Sequence, residues 1–156
     1  MNFFSLFKRN FLYNFKKKIN IDHQENIDNS SLDKLFTFYN TDKANIVDNG
    51  TKKGHGFAKF YEKKLNQFKD KEKINILEIG SFSGASAAAF SKYFPNSQIY
   101  CLDINLLNFK FYSKKIHVFG MNSSDNKMMI KFLNKINFFE KINFFDIIID
   151  DGSHIL

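Results

Sequence analysis

The chain has 156 residues, 44% of them hydrophobic and 25% charged, with a formal net charge of +7. That length argues for one domain able to bury roughly 68–70% of its unfolded surface, and the composition excludes wholesale disorder. No apolar run approaches the roughly 20 residues of a spanning helix, a single cysteine (Cys101) excludes a disulfide framework or a cysteine zinc site, and no heptad or internal repeat is sustained.

Lysine supplies nearly all of the positive charge, since Arg9 is the only arginine. The chain is also rich in Asn, Ile and Phe, and poor in Pro and Trp. That is the skew of an A+T-rich coding sequence. Nucleic-acid readers lean on arginine for bidentate contacts, so a nucleic-acid partner is not expected.

In chain order, the first predicted element is an amphipathic helix. Phe3, Phe4, Phe7, Phe11, Leu12 and Phe15 recur at helical spacing, opposite Lys8, Arg9, Lys16, Lys17 and Lys18. Such a stripe packs on the body of its own protein or on a partner subunit; contact with a membrane surface is the alternative. The segment is a poor signal peptide, because charge interrupts its apolar run. Residues 22–31 read as a polar linker, and Ser30 or Ser31 can cap a helix over about 32–39. The stretch TDKANIVDNGTKKGHG reads as a loop, followed by a helix over about 57–69.

From Lys73 the pattern changes. INILEIG, QIYCLDI, KIHVFG and FFDIIIDD are short apolar runs of the kind found in strands buried on both faces. Helices over about 81–94 and 125–137 separate them. Strands alternating with helices predict an α/β fold with a parallel sheet. The expected organisation is a basic amphipathic helix and linker over 1–31, a helical segment over 32–72, and a Rossmann-like domain over 73–156.

Three strand ends carry the candidate chemistry. The first is Glu78-Ile79-Gly80-Ser81-Phe82-Ser83-Gly84-Ala85-Ser86, between a strand and a helix. Gly80 permits a tight turn, Gly84 a close approach of ligand and helix, and the helix start offers amide donors. Phe82 stands where a dinucleotide fingerprint has its middle glycine, so a plain strand–helix turn is the competing reading. The second is Asp103, at the end of QIYCLDI, placed to accept hydrogen bonds from ribose hydroxyls. The third is Asp150-Asp151-Gly152-Ser153-His154. An aspartate there suits a hard cation such as Mg²⁺, and a histidine there suits a general base. Cys101 is expected as a buried core residue.

ILEIGSFSGAS, YCLDI and IIIDDGSH, in this order, resemble the class I S-adenosylmethionine-dependent methyltransferases. YNTDK and GHGFAKFYEKKL upstream resemble the N-terminal portion of the macrolide-type sugar O-methyltransferases, the mycinamicin and macrocin methyltransferases; cephalosporin-hydroxylase-like proteins are close neighbours. The resemblance implies a Rossmann-like methyltransferase fold, S-adenosylmethionine and Mg²⁺ as cofactors, and a small-molecule or glycan sugar hydroxyl as acceptor. It implies that Glu78, Gly80 and Ser81 line the methionine end of the cofactor, with Ser86 nearby; Gly84, at the helix start, is expected among the cofactor-binding residues. Asp103 would hold the ribose, Asn122 and Asp125 would lie near the adenine, and Tyr61, with His55, would help close the site. Asp151 would bind Mg²⁺ and His154 would take the substrate proton. In that family an acidic residue usually follows the glycine of the third strand, where this chain has Met121. Such enzymes also continue into further strands, so FFDIIIDD is expected as an exposed apolar edge. A cytoplasmic setting is expected and a homo-oligomer is possible; a cofactor-binding remnant or interaction module without turnover, and a basic peripheral membrane or nucleic-acid binder, are the rival readings.

Overall fold

The computed structural model describes residues 3–25, 27–45 and 54–152. The predicted strands and helices form a three-layer α/β unit. Its elements are α1 (Phe3–Phe15), β1 (Ile19–Asn20), α2 (Leu32–Tyr39), α3 (Ala58–Leu65), β2 (Ile74–Ile79), α4 (Ala85–Tyr93), β3 (Ser97–Asp103), β4 (Phe111–Tyr112), β5 (Ile116–Gly120), α5 (Asn126–Glu140) and β6 (Ile147–Asp150). The main sheet is parallel, in the order β5-β3-β2-β6. The chain adds β3 and β5 on one side of β2 and then returns to add β6 on the other. The direction of winding therefore reverses between β2 and β6, and ligands of open α/β sheets bind at such a switch point.

Alternation along the strands divides the core in two. Ile74, Ile76, Ile99, Cys101, Ile147 and Ile149 pack against α4 and, beyond it, α2 and α3. Leu77, Tyr100 and Leu102 pack against Phe132 and Ile136 of α5. The N-terminal segments thus share one core with the sheet. α2 is a short helix with complete caps: Ser31 accepts from the Lys34 amide, and Asn40, in the left-handed region at φ 62°, ends it.

Several elements differ from expectation. α4 starts at Ala85 rather than Ser81, because Phe82 and Gly84 adopt positive φ and hold 81–84 as a turn. The stretch expected as a linker begins beside the fully buried Ile21, and Asp22 accepts hydrogen bonds from Ser113 Oγ and the Lys114 amide. The parallel pair β1–β4 was not predicted, since two residues are too few for any periodicity. The phenylalanine stripe of α1 does not face the protein. The helix docks through Leu6, Asn10 and Tyr13, whose ring meets Phe109 edge-on.

The expected apolar edge is present. On β6, Ile147 and Ile149 are buried while Ile148 is 63% exposed. What fastens this strand is Asp146, just before it. Its carboxylate accepts from the Asn75 amide at 2.9 Å and from Lys71 Nζ at 3.0 Å. Burial alone would raise its pKa; the amide and Lys71 more than reverse that and hold it below the usual carboxylate range. A depressed folded-state pKa adds stability that is present above the unfolded value near 3.8 and lost as the pH falls below it. Asp146→Ala should cost about 1–3 kcal/mol at pH 7. Urea titrations across pH 3 to 7 should show the gap from wild type narrowing at the acid end; a pH-independent gap would contradict this role.

Candidate functional site

Two adjoining cavities open at the carboxyl ends of β2, β3 and β6. One, of about 370 Å³, is bounded by the Thr41–Lys43 turn, by Gly80 to Ser83 and by Ser86. The other, of about 290 Å³, is bounded by Asp103, Ile104 and Asn122 to Ser124. Gly80, Phe82 and Asp151 border both.

Glu78 lies behind the lining of the first, held to Ser86. It lies on the α4 face of β2, fully buried, with Oε1 accepting from Ser86 Oγ. Its Oε2 is buried without a hydrogen-bond partner among the described residues. Burial pushes its pKa up, opposed by Lys43 and by the hydroxyls of Ser86 and Ser81. Lys43 is 4% exposed, and its Nζ donates to Asp151 Oδ2 at 2.5 Å. Burial alone would lower the lysine's pKa; Glu78, Asp151 and Asp42 raise it above the ordinary value, so it stays charged. The Thr41–Lys43 turn follows the αL cap of α2, so the capping of that helix delivers Lys43 to the site.

Asp103 is built as a rigid acceptor. Oδ2 accepts from the Phe82 amide and Oδ1 from the Asn105 amide, each at 2.7 Å. Each oxygen keeps a lone pair for a second donor, so the carboxylate can hold two vicinal hydroxyls. Phe82 stands between the cavities at φ 43° with its ring 63% exposed. A non-glycine residue in the left-handed region costs roughly 1–2 kcal/mol, and such strain concentrates at binding sites. α4 has Gly84 as its N-cap, which offers no side-chain cap, so its first-turn amides are not taken by a capping group.

No family model matches the chain, and no curated protein matches it. Several chains among the solved structures do, two of them as follows. Both are of the MycE methyltransferase from the mycinamycin biosynthetic pathway, one in complex with Mg and SAH and the other with Mg, SAH and mycinamycin VI. Each is 26% identical to this chain and covers 79% of it, with TM-scores of 0.53 and 0.50. The fold is that of a class I methyltransferase. The chain spans 28% of the MycE chain's length.

Within this methyltransferase fold, most of the expected cofactor residues gather at the two cavities. Gly80, Ser81 and Ser86 line the first, Asp103 and Asn122 the second, and Glu78 lies behind them. Gly84 is needed for another reason than the one expected. A Cβ there would fall 2.4 Å from the Phe109 ring, so the glycine admits a side chain of the protein's own core. At Gly80, with φ 80°, a Cβ would fall 2.6 Å from the Asp151 carbonyl oxygen, so this glycine lets the β2 and β6 turns touch. Asp125 caps α5, with Oδ1 accepting from the Lys127 and Met128 amides, and lines a different cavity. Tyr61 packs its ring against Phe36 and Phe90, and burial raises its hydroxyl pKa. His55 is exposed, 3.7 Å from Asp42. His154 lies outside the described residues. Cys101 is free and fully buried, and burial holds its thiol pKa well above the ordinary value.

The described residues do not fit Mg²⁺. No group of three or more His, Cys, Asp or Glu among them could hold a metal. Mg²⁺ demands octahedral oxygen coordination, whereas the Asp151 carboxylate is already neutralised by an ammonium.

Lys43 is the residue that sequence reasoning missed. Lys43→Met would leave Glu78 buried without its nearest positive charge. The expected cost at pH 7 is about 2–3 kcal/mol, below that of a fully enclosed pair because Asp151 is 46% exposed. Glu78 has a raised folded-state pKa, so the penalty for its ionisation is absent below its unfolded value near 4.5 and grows above it. Denaturant melts should therefore show the mutant approaching wild type towards pH 4.5; equal destabilisation at every pH would remove Glu78 from the explanation.

Proposed function

We propose that the chain is an S-adenosylmethionine-dependent O-methyltransferase unit that methylates a sugar hydroxyl of a small-molecule or glycan acceptor. The observation that carries this reading is the doubly anchored Asp103 facing a cavity that adjoins the one in front of Glu78 at the switch point. When bound, S-adenosylmethionine supplies a methyl carbon activated by a positively charged sulfur. Asp103 would accept the ribose hydroxyls through its remaining lone pairs. Glu78, with its unpartnered Oε2, is the counter-charge suited to the ammonium of the methionine end. Gly80, Ser81 and Ser86 would form the wall around that end, and Asn122 would lie beside the base.

His154 is assigned the general base that takes the acceptor's hydroxyl proton. Such a base is typically worth 10²–10⁴-fold in rate, because a hydroxyl is a poor nucleophile until its proton leaves. The chain's remaining task is to hold the acceptor oxygen in line with the methyl carbon. Mg²⁺ assistance, expected from the resemblance, is not carried into this proposal, since Lys43 already neutralises Asp151. The same pairing favours a second reading, a unit that binds the cofactor without turnover. No helix among the described residues is long and apolar enough to cross a membrane. The cytoplasmic setting expected from the sequence remains part of the proposal.

Calorimetry with S-adenosylhomocysteine tests the reading. The chain should bind, and Asp103→Ala should weaken binding by about 1–3 kcal/mol, since paired hydrogen bonds to a charged group are lost. No binding by the wild-type chain would end both readings, and unchanged affinity in the mutant would remove Asp103 from the ribose site. Transfer of labelled methyl to a panel of glycosides separates the two readings: turnover that His154→Ala abolishes supports the enzyme, and binding without turnover supports the second.

A further inference from the structure

α1 turns its phenylalanines outward. Phe4, Phe7, Phe11 and Phe15 are between 53% and 75% exposed, and their three- and four-residue spacing sets them along one side of the helix. The opposite side holds the helix to the protein through Leu6, Asn10 and Tyr13. A contiguous aromatic stripe on the outer side of a docked helix marks an interaction surface. We propose that α1 seats this chain on an anionic lipid bilayer.

Charge selects that partner. The first 21 residues hold Lys8, Arg9, Lys16, Lys17 and Lys18 and no acidic residue. A second basic row adjoins the helix. Lys127, Lys131 and Lys135 recur at one-turn spacing along α5, all exposed, and border a cavity of about 600 Å³ between α1 and α5. Its floor is apolar, formed by Val118, Met121 and Phe132. Asp125 also borders it, with one carboxylate oxygen held by the first amides of α5. Aromatic rings beside lysines are the surface that an anionic membrane interface accepts: the rings enter the acyl boundary and the ammonium groups meet the headgroups.

A second copy of the chain suits the stripe less well. An aromatic side chain buries 150–250 Å², so four rings at these exposures offer roughly 500 Å². A standard interface needs about 800 Å² from each partner. Self-pairing would also bring two basic helices together. The inference rests on α1 and α5 alone and stands apart from the methyltransferase reading.

The test is sedimentation of the full chain with phosphatidylcholine vesicles, with and without phosphatidylglycerol, at low and at physiological salt. The chain should pellet with the anionic vesicles, far less with the neutral ones, and less as salt rises. Replacing three of the four outward rings together (Phe7→Gln, Phe11→Gln, Phe15→Gln) should weaken binding about tenfold or more, with an unchanged circular dichroism spectrum. Removing the α5 row (Lys127→Gln, Lys131→Gln, Lys135→Gln) should weaken it up to about fivefold for each lysine. The proposal fails if the chain stays in the supernatant with anionic vesicles, or if the ring variant pellets like wild type. It also fails if, without lipid, wild type sediments as a dimer and the ring variant as a monomer, because a second copy then covers the stripe.

Discussion

A carboxylate buried at the end of β2 sets the terms for everything around the candidate site. Glu78 is fully enclosed, and an isolated ion in such a place is very costly. Three groups offset part of that cost: Lys43, from the turn after α2, Ser86, from the first turn of α4, and Ser81 of the turn between β2 and α4. Lys43 in turn holds Asp151 beyond the end of β6. One charge cluster thereby joins the N-terminal segment, the central strand, the following helix and the last strand. The cavity wall cannot assemble until α2 is capped and docked, so the segment ahead of the sheet belongs to the site.

Where the sequence was informative, the physics was local. A strand buried on both faces must read as an apolar run, and its polar end must emerge at the sheet's carboxyl edge; ILEIG and YCLDI carry both signals, so Glu78, Gly80 and Asp103 could be placed in advance. Lys43 could not. It is one lysine in a lysine-rich chain, and its burial depends on how α2 packs. Gly84 was legible as a special position but not for its reason, because the ring that needs the space belongs to Phe109. The periodicity of α1 gave the helix but left its outlook open: spacing says which side chains share a face, not which face meets the protein.

Phe82 joins backbone strain to the shape of the candidate site. A glycine would occupy its left-handed conformation without penalty, yet a large ring stands there with most of its surface in water. Its amide anchors Asp103 while its side chain borders both cavities. Backbone and ring therefore shape the two cavities from one residue, and the Asp103 carboxylate gains rigidity from the turn that positions the ring.

The two borders of the main sheet are finished differently. At β5, Asn10 of α1 donates to the Gly120 carbonyl at 2.8 Å, so a side chain takes a backbone acceptor there. At β6, the outermost strand, Ile148 shows its side chain to water. Unpaired strand edges recruit further strands. An added strand at β6, from whatever source, finds a hydrogen-bond template and an apolar neighbour beside Asp151, so that an extension of the sheet there also becomes a new wall of the site.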